Sequence, residues 1–559
     1  MPELSALVDR HRATLDRALR AIRDRAYWSP YPEVPSGKVY GEAAADEGRA
    51  AFEALLRRPF DLDQPAVGGE VGQERSPYGI DLGVRYPRVT DVGALLDAMS
   101  AGTRAWRDAG PDVRAAVCLE ILQRLNARSF EIAHAVMHTT GQAFGMAFQA
   151  GGPHAQDRGL EAVAYAYAEM TRHPLEVDWE KPAGRGEVFR LHKTYRLVPR
   201  GVGLVIGCIT FPTWNSYPGL FASLVTGNPV VVKPHPRAIL PLAITVRVAR
   251  EVLAEVGFAP DLVTLVAEDL GGTVASKLAT HPAVRLVDFT GSTEYGEWLE
   301  EHARQAAVFT EKAGVNHVVI DSTDDFVGLC KNLAFSLALY SGQMCTTPQN
   351  ILVPRAGIDT EDGPRSFDEV VGGIASAVDG LLGDDKRASA LLGGIVNDAV
   401  LDRLQRAPSY GRVVLESRAV KHPDFADATI RTPVIVALDA ADRDVYAREH
   451  FGPIAFVIAT ESTEQSLDVL RDTVRERGAL TALVHSTRAD VLDAAEEISA
   501  EVGVPLSCNL TGGVYVNQSS AFSDFHGTGA NPACNATLTD AAFVAPRFRI
   551  VQSRRPLPA

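Results

Sequence analysis

Residues 202–233 read VGLVIGCITFPTWNSYPGLFASLVTGNPVVVK, and this stretch decides the fold class. Residues 204–209 form a short apolar run that is typical of a buried strand. An aromatic loop and a helix near 219–225 follow it, and a second apolar strand covers 229–233. A strand, a helix and another buried strand in this order form a βαβ unit, which implies a parallel sheet covered by helices.

The same alternation continues along the chain. Apolar strands at 262–266 and 284–289 alternate with helices at 239–256, 272–279 and 294–304, and a second α/β region, 311–510, repeats the pattern. Before residue 201 helices predominate: 3–25, 90–107, 111–126, 129–137 and 156–170. We therefore predict an α/β protein with two doubly wound domains.

Two segments do not fit this alternation. Residues 187–198 (EVFRLHKTYRLV) and 547–551 alternate basic and apolar side chains, as strands do, and neither has an adjacent helix to pack on. They are predicted to form a separate β element.

Composition excludes several classes of function. The 559 residues include 55 Lys and Arg against 70 Asp and Glu, so the net charge of -15 argues against nucleic-acid and anionic-membrane partners. The N-terminus has no apolar signal segment, and the run around 202–209 is much shorter than a membrane span. Six cysteines without a C-x-x-C pair predict free thiols in a reducing compartment. We expect a cytoplasmic protein.

Four polar or small residues lie near the ends of predicted strands. Ligands of open parallel sheets bind beyond the carboxyl ends of the strands, where Asn215 follows the first strand and Lys233 ends the second. Gly291 and Ser292 lie in a strand-to-helix turn, TGSTEYG, that could approach a pyrophosphate. Taken singly, each has a simpler explanation: a turn asparagine, a solvated lysine or a tight turn.

Four further residues are candidates for chemistry. Glu311 begins the segment EKAGVN, Cys345 lies in GQMCTT, and Glu449 and Phe451 precede a rigid Gly-Pro turn in EHFGP. A free cysteine is more often a small buried apolar residue than a nucleophile, and any of these residues could serve packing alone.

Together these residues form six ordered motifs, and on them the chain resembles the aldehyde dehydrogenase superfamily from about residue 86 onward. The motifs are W-N-x-x-P, K-P, F-T-G-S-T-E-x-G, E-x-x-G-x-N, G-Q-x-C-T and E-x-F-G-P. Within the superfamily the chain is most similar to the phenylacetic acid degradation enzymes of the PaaN type, on its long N-terminal extension and the string GQMCTTPQ.

The resemblance implies three catalytic roles. Cys345 is the expected nucleophile, and the Asn215 side chain with the Cys345 backbone N–H is the expected oxyanion hole. Glu311 is expected to activate the water that hydrolyses the thioester. No metal ligands are assigned.

The resemblance also implies a nicotinamide cofactor, NADP or NAD. Lys233 is expected at the adenosine ribose, Gly291 and Ser292 near the pyrophosphate, Glu449 at the nicotinamide ribose and Phe451 beside the nicotinamide ring.

Several positions depart from the family pattern. Pro236 stands where the family often has a carboxylate that favours an unphosphorylated ribose, so we expect NADP to be accepted at least as well as NAD, with Arg237 nearby. The aromatic motif has gained one residue after Asn215, which affects the placement of its amide.

The resemblance predicts an aldehyde substrate, specifically a semialdehyde of aromatic-acid catabolism that could carry a CoA thioester. The residues around Asn215 and Cys345 that depart from the family pattern indicate a more polar substrate tunnel than a fatty aldehyde would need: Ser216, Tyr217, Thr347, Pro348 and Gln349. Two alternatives stay open: a CoA-acylating dehydrogenase, against which Glu311 argues, and an inactive scaffold with the same fold. The predicted domains are a helical extension (1–60), a cofactor-binding domain (61–185 and 201–310) and a catalytic domain (311–510). An oligomerisation element (186–200 and 536–559) implies a homodimer or homotetramer.

Overall fold

The computed structural model describes residues 2–557, and its first sheet is the one that the sequence predicts. Five parallel strands lie in the order Val263–Leu265, Val230–Lys233, Val202–Ile206, Val284–Thr290 and Ala307–Glu311. The connecting helices are Pro212–Val225, Leu240–Glu255, Val274–Ala279 and Thr293–His302. Lys233, the turn after Thr290 and Glu311 therefore all lie at the carboxyl edge of one sheet.

The second sheet has seven strands and belongs to the second predicted α/β region. Its order is Arg412–Leu415, Val434–Asp439, Ile454–Thr460, Asn350–Pro354, His317–Ile320, Ala482–His485 and Leu506–Cys508. All neighbours are parallel except the first pair. The main helices of this region are Phe326–Ala338, Phe367–Leu382, Asp385–Leu391, Asp398–Arg406, Thr463–Arg477 and Ala489–Val502. Two doubly wound α/β units thus confirm the predicted fold class.

The predicted separate β element is a three-stranded antiparallel sheet. Glu187–Pro199 is its central strand and pairs with Phe548–Pro556, as the sequence predicts, with Leu197 opposite Ile550. The other edge, Glu176–Gly184, is a strand that the sequence analysis missed. The polar composition of this third strand, EVDWEKPAG, gives no apolar alternation strong enough to predict it.

Helices cover the N-terminal part of the chain. The predicted helix 90–107 is divided at Gly102 into two helices, and a short helix near residues 144–151 was not predicted. The helices of this part are Pro2–Asp24, Gly37–Tyr40, Ala44–Leu55, Val92–Ala101, Thr103–Asp108, Gly110–Ala127, Ser129–Thr140, Phe144–Gly151 and Pro153–Met170. A two-stranded ribbon, Val67–Val71 with Tyr86–Val89, lies between them. Within residues 2–557, no helix combines the length and the apolar character that a membrane crossing requires.

Candidate active site

Cys345 follows a turn whose backbone is unusually constrained. Tyr340, Ser341 and Gly342 have φ values of 53°, 52° and 64°, so three consecutive residues adopt the left-handed conformation. A Cβ on Gly342 would lie 2.4 Å from the carbonyl oxygen of Gly452, so only glycine fits there. Non-glycine residues in this region are strained, and such strain is commonly retained at functional sites.

Asn316 fixes the backbone on which Cys345 lies. Its Nδ2 atom donates to the carbonyl oxygens of Cys345 (2.8 Å) and Thr347 (3.0 Å). Its Oδ1 atom accepts from the backbone N–H groups of Leu480 (2.9 Å) and Thr481 (3.1 Å). The last residue of the EKAGVN motif therefore joins the Cys345 loop to the segment that leads into the strand Ala482–His485.

Glu311 and Asn215 contact each other directly. The Asn215 Nδ2 atom donates to Glu311 Oε2 at 2.8 Å, and its Oδ1 atom accepts from the Cys208 thiol at 3.6 Å. Because a carboxylate only accepts, this pairing fixes which end of the amide faces Glu311. The sequence analysis placed Asn215 in a loop. The structure corrects this, since Asn215 lies in the first turn of the helix Pro212–Val225 and is buried.

His526 completes the cluster and was not predicted. Its Nε2 atom lies 3.0 Å from Glu311 Oε1 and 3.6 Å from Cys345 Sγ. The backbone of His526 pairs with Leu538, and the segment around Cys534 pairs in turn with Glu311. A lone histidine far along the chain carries no sequence signal for this contact. The ligand atoms of Glu311, Cys345 and His526 lie within 4.8 Å of one another, close enough to share a divalent cation.

The electrostatics of the cluster favour a charged Glu311 and a protonated Cys345. Burial and the neighbouring Glu311 carboxylate raise the pKa of the Cys345 thiol well above its usual range. Burial also opposes ionisation of Glu311, but His526 and the hydrogen bonds around the carboxylate outweigh it, so the pKa of Glu311 lies below its usual value. The thiol therefore needs activation before it can attack.

At the carboxyl edge of the first sheet, Lys233 lies next to a carboxylate that the sequence analysis did not identify. Lys233 Nζ lies 2.7 Å from Glu268 Oε1, and both side chains are largely buried. A carboxylate therefore stands beside Lys233, although Pro236 occupies the position where the family often has one. Arg237 donates to the carbonyl oxygen of Val396 at 2.9 Å, and burial lowers the pKa of His235 to about 4, so neither residue is a ready partner for a 2′-phosphate.

The other predicted cofactor residues lie at compatible positions. Ser292 caps the helix Thr293–His302, where backbone N–H groups favour a phosphate, and Gly291 precedes it. Glu449 has no ion-pair partner among residues 2–557, and burial raises its pKa to about 7. Arg403 and the backbone N–H of Gly314 favour its charged form, and its remaining acceptor positions can take ribose hydroxyls, so the residues fit a nicotinamide dinucleotide. The carbonyl oxygen of Phe451 accepts from Arg403 at 3.1 Å.

A cavity of about 680 Å³ leads to Cys345, with Asn215 and His526 beside it. Aromatic rings line part of its wall, and amide and hydroxyl groups line another part. Its aromatic lining residues are Tyr27, Trp28, Tyr31, Phe211, Trp214, Phe335 and Tyr515.

Residues 82–528 match the aldehyde dehydrogenase family, and the chain belongs to that family of enzymes. A crystal structure described as an NAD-dependent aldehyde dehydrogenase from Burkholderia multivorans is 60% identical, covers 99% of each chain and superposes with a TM-score of 0.98. The 1-pyrroline-5-carboxylate dehydrogenase of Bacillus licheniformis is 25% identical over 88% of this chain and 87% of its own. The geranial dehydrogenase of Castellaniella defragrans is 27% identical over 68% of this chain and 75% of its own.

Proposed function

We propose that this chain oxidises an aldehyde to a carboxylate with NAD as hydride acceptor, through a covalent intermediate on Cys345. One observation carries the proposal: the Cys345 thiol lies close to the Glu311 carboxylate, which is hydrogen-bonded to the Asn215 amide, and the thiol and the amide line one cavity. These are a nucleophile, a base and an oxyanion donor, the three groups that acyl transfer from an aldehyde carbon requires.

The chain's own groups have distinct tasks in this reaction. Cys345 attacks the carbonyl carbon to give a thiohemiacetal, and the Asn215 amide with the Cys345 backbone N–H stabilises its oxyanion. The Asn215 NH2 group has two hydrogens, so it can donate one to Glu311, as in the structure, and the other to the oxyanion. Loss of a hydride from the same carbon, which a bound nicotinamide would accept, then leaves a thioester on Cys345.

Hydrolysis then releases the acid. Glu311 is buried, ionised at neutral pH by its neighbours and close to the sulfur atom, so it is suited to take a proton from water attacking the thioester. A CoA-acylating enzyme has no need of such a base, and Glu311 therefore favours the hydrolytic reaction.

The proposed preference for NAD rests on Glu268. A carboxylate next to Lys233 repels the 2′-phosphate of NADP and can accept from the free ribose hydroxyl of NAD. Glu449 and Phe451 are proposed to hold the nicotinamide half, and Gly291 and Ser292 the pyrophosphate.

The lining of the cavity favours an aldehyde with an uncharged far end. Glu33, Asp157 and Asp524 line it, and none of them supplies a positive charge to pair with a carboxylate. The one arginine, Arg158, is fully buried and pairs with Glu161 at 2.9 Å. A small substrate with a free carboxylate, such as the 1-pyrroline-5-carboxylate in the names of those relatives, therefore fits poorly. Masking the acid as a thioester removes that charge from the cavity, so a semialdehyde of aromatic-acid catabolism in this form fits better, with the phosphates of a CoA carrier outside the cavity.

Reduced-cofactor formation with a panel of aldehydes tests the reaction. We expect Cys345→Ala to abolish turnover while the protein stays folded, with Cys508→Ala, at a partly exposed thiol outside the site, as the control. Substantial aldehyde oxidation by Cys345→Ala would refute the mechanism. For the substrate, kcat/KM for a CoA semialdehyde is compared with octanal and phenylacetaldehyde, and equal values would refute the catabolic assignment.

A further inference from the structure

Part of the N-terminal extension lines the active-site cavity, although it lies outside the residues that match the family. The match begins at residue 82, yet Tyr27, Trp28, Tyr31 and Glu33 share a cavity with Cys345. These residues lie in the stretch YWSPYPE, which ends the first helix. The extension therefore contributes to the site itself.

Polar contacts fix this stretch against the body of the protein. Ser29 Oγ donates to Asp157 Oδ1 at 2.7 Å, and Glu33 lies 2.7 Å from His154 Nε2. Both partners belong to the helix Pro153–Met170. The contacts of Ser29 and Glu33 with one long helix therefore hold this stretch, residues 27–33, in place as one wall of the cavity.

Two rings of this wall keep surface that packing does not cover. Tyr27 is 69% exposed, and Trp28 is only partly buried, with its ring centroid 6.1 Å from that of Phe522. Phe522 belongs to the same loop as His526. Exposed aromatic surface at a cavity mouth is typical of a binding surface, because burial of the rings against a ligand is energetically favourable.

We propose that Tyr27 and Trp28 are specificity-determining residues, which contact a bulky uncharged group at the far end of the aldehyde. The inference rests on the proposed aldehyde oxidation and adds the part of the chain that selects the substrate. Because these rings belong to the cavity wall and not to the hydrogen-bonded cluster at Cys345, they strengthen substrate binding and leave the chemical step unchanged.

Steady-state kinetics with two aldehydes tests this role. For Tyr27→Ala and Trp28→Ala we expect KM for 3-phenylpropanal to rise roughly tenfold with kcat retained, while kcat/KM for propanal stays within about twofold. Val39→Ala is the matched control, because Val39 is exposed on the same extension and does not line the cavity. Equal losses for both aldehydes, or no change for either, would overturn the proposal.

Calorimetry supplies a readout that does not depend on turnover. The unreactive 3-phenylpropanamide should bind the wild-type protein and bind the Tyr27→Ala and Trp28→Ala variants about tenfold more weakly. If the variants show this loss but the protein oxidises no aldehyde, the proposed function is refuted and the binding role of Tyr27 and Trp28 is supported. Equal affinity in all variants, or no binding to the wild type, would overturn the proposed binding role of Tyr27 and Trp28.

Discussion

The Nε2 atom of His526 lies 3.0 Å from the Oε1 atom of Glu311. Because the ionised carboxylate can only accept, this nitrogen must carry a proton. The same N–H faces the Cys345 sulfur at 3.6 Å, so Nε2 cannot take the thiol proton and instead donates to the thiolate once it forms. His526 is therefore an electrostatic partner of the nucleophile, in a position where burial and Glu311 both oppose the thiolate.

Removal of this donor should make Cys345 harder to ionise. We expect His526→Ala to slow alkylation of Cys345 by iodoacetamide at pH 8 and to move the pH profile of alkylation to higher pH. It should also lower kcat about tenfold or more, which is the effect of losing one hydrogen bond to a charged group. His526→Gln, which keeps a donor, should recover part of the loss. His173→Ala, at an exposed histidine, is the control. An unchanged alkylation profile would contradict the role of His526.

Glu311→Gln should have the opposite effect on the thiol. The Glu311 carboxylate raises the pKa of Cys345, so its removal lowers that pKa, and alkylation at pH 7 should be faster than in the wild type. Turnover should nevertheless fall, because the base for hydrolysis is lost. Stopped-flow absorbance should show a burst of reduced cofactor followed by a slow steady state. Loss of the burst would mean that Glu311 also activates the thiol, and full turnover would remove it from the mechanism.

Cofactor preference should depend on Glu268. Glu268→Gln removes the carboxylate beside Lys233, so we expect the ratio of kcat/KM for NAD to that for NADP to fall at least tenfold. Glu251→Gln, at an exposed carboxylate on a neighbouring helix, should leave the ratio unchanged. A wild-type enzyme that prefers NADP, or a ratio that Glu268→Gln does not alter, would refute the assignment.

The affinity for NAD should decrease as the pH falls, because Glu449 becomes protonated. Burial raises the pKa of Glu449 to about 7, and the protonated group accepts poorly from ribose hydroxyls. We therefore expect the dissociation constant to be lowest above pH 7 and to rise, by up to about tenfold per pH unit, as pH falls below it. Glu449→Gln should bind weakly with little pH dependence between pH 6 and 8. A wild-type affinity that is flat over this range would contradict the prediction.

The sequence predicted those parts of the site that local patterns encode. Cys345, Lys233 and Glu311 lie in short motifs at the ends of apolar strands or helices, so each could be found without knowledge of the fold. His526 and Glu268 could not, because their roles follow from which chain segment lies beside another. His526 reaches Glu311 only because the segment near Cys534 pairs with the edge of the first sheet.

The N-terminal wall shows the same limit on a larger scale. The sequence predicted the first helix and its end at the prolines, but Tyr27 meets the cavity only through contacts with a helix more than 120 residues away, such as that of Ser29 with Asp157. Local spacing also misplaced Asn215, since the aromatic motif reads as a loop and the helix begins at its proline.

The three-stranded sheet should be an interface between copies of this chain. Its exposed apolar residues include Val177, Val188, Phe189, Ile550 and Val551, with Phe189 61% exposed, and both edge strands leave backbone groups free to pair. We expect sedimentation velocity at micromolar concentration to show an oligomer, a dimer in the simplest case. The double variant Phe189→Asp/Ile550→Asp should be a monomer, because buried unpaired carboxylates oppose association. Val327→Asp, at an equally exposed valine elsewhere, should leave the assembly intact. A monomeric wild type, or a double variant that assembles normally, would show that this sheet does not join subunits.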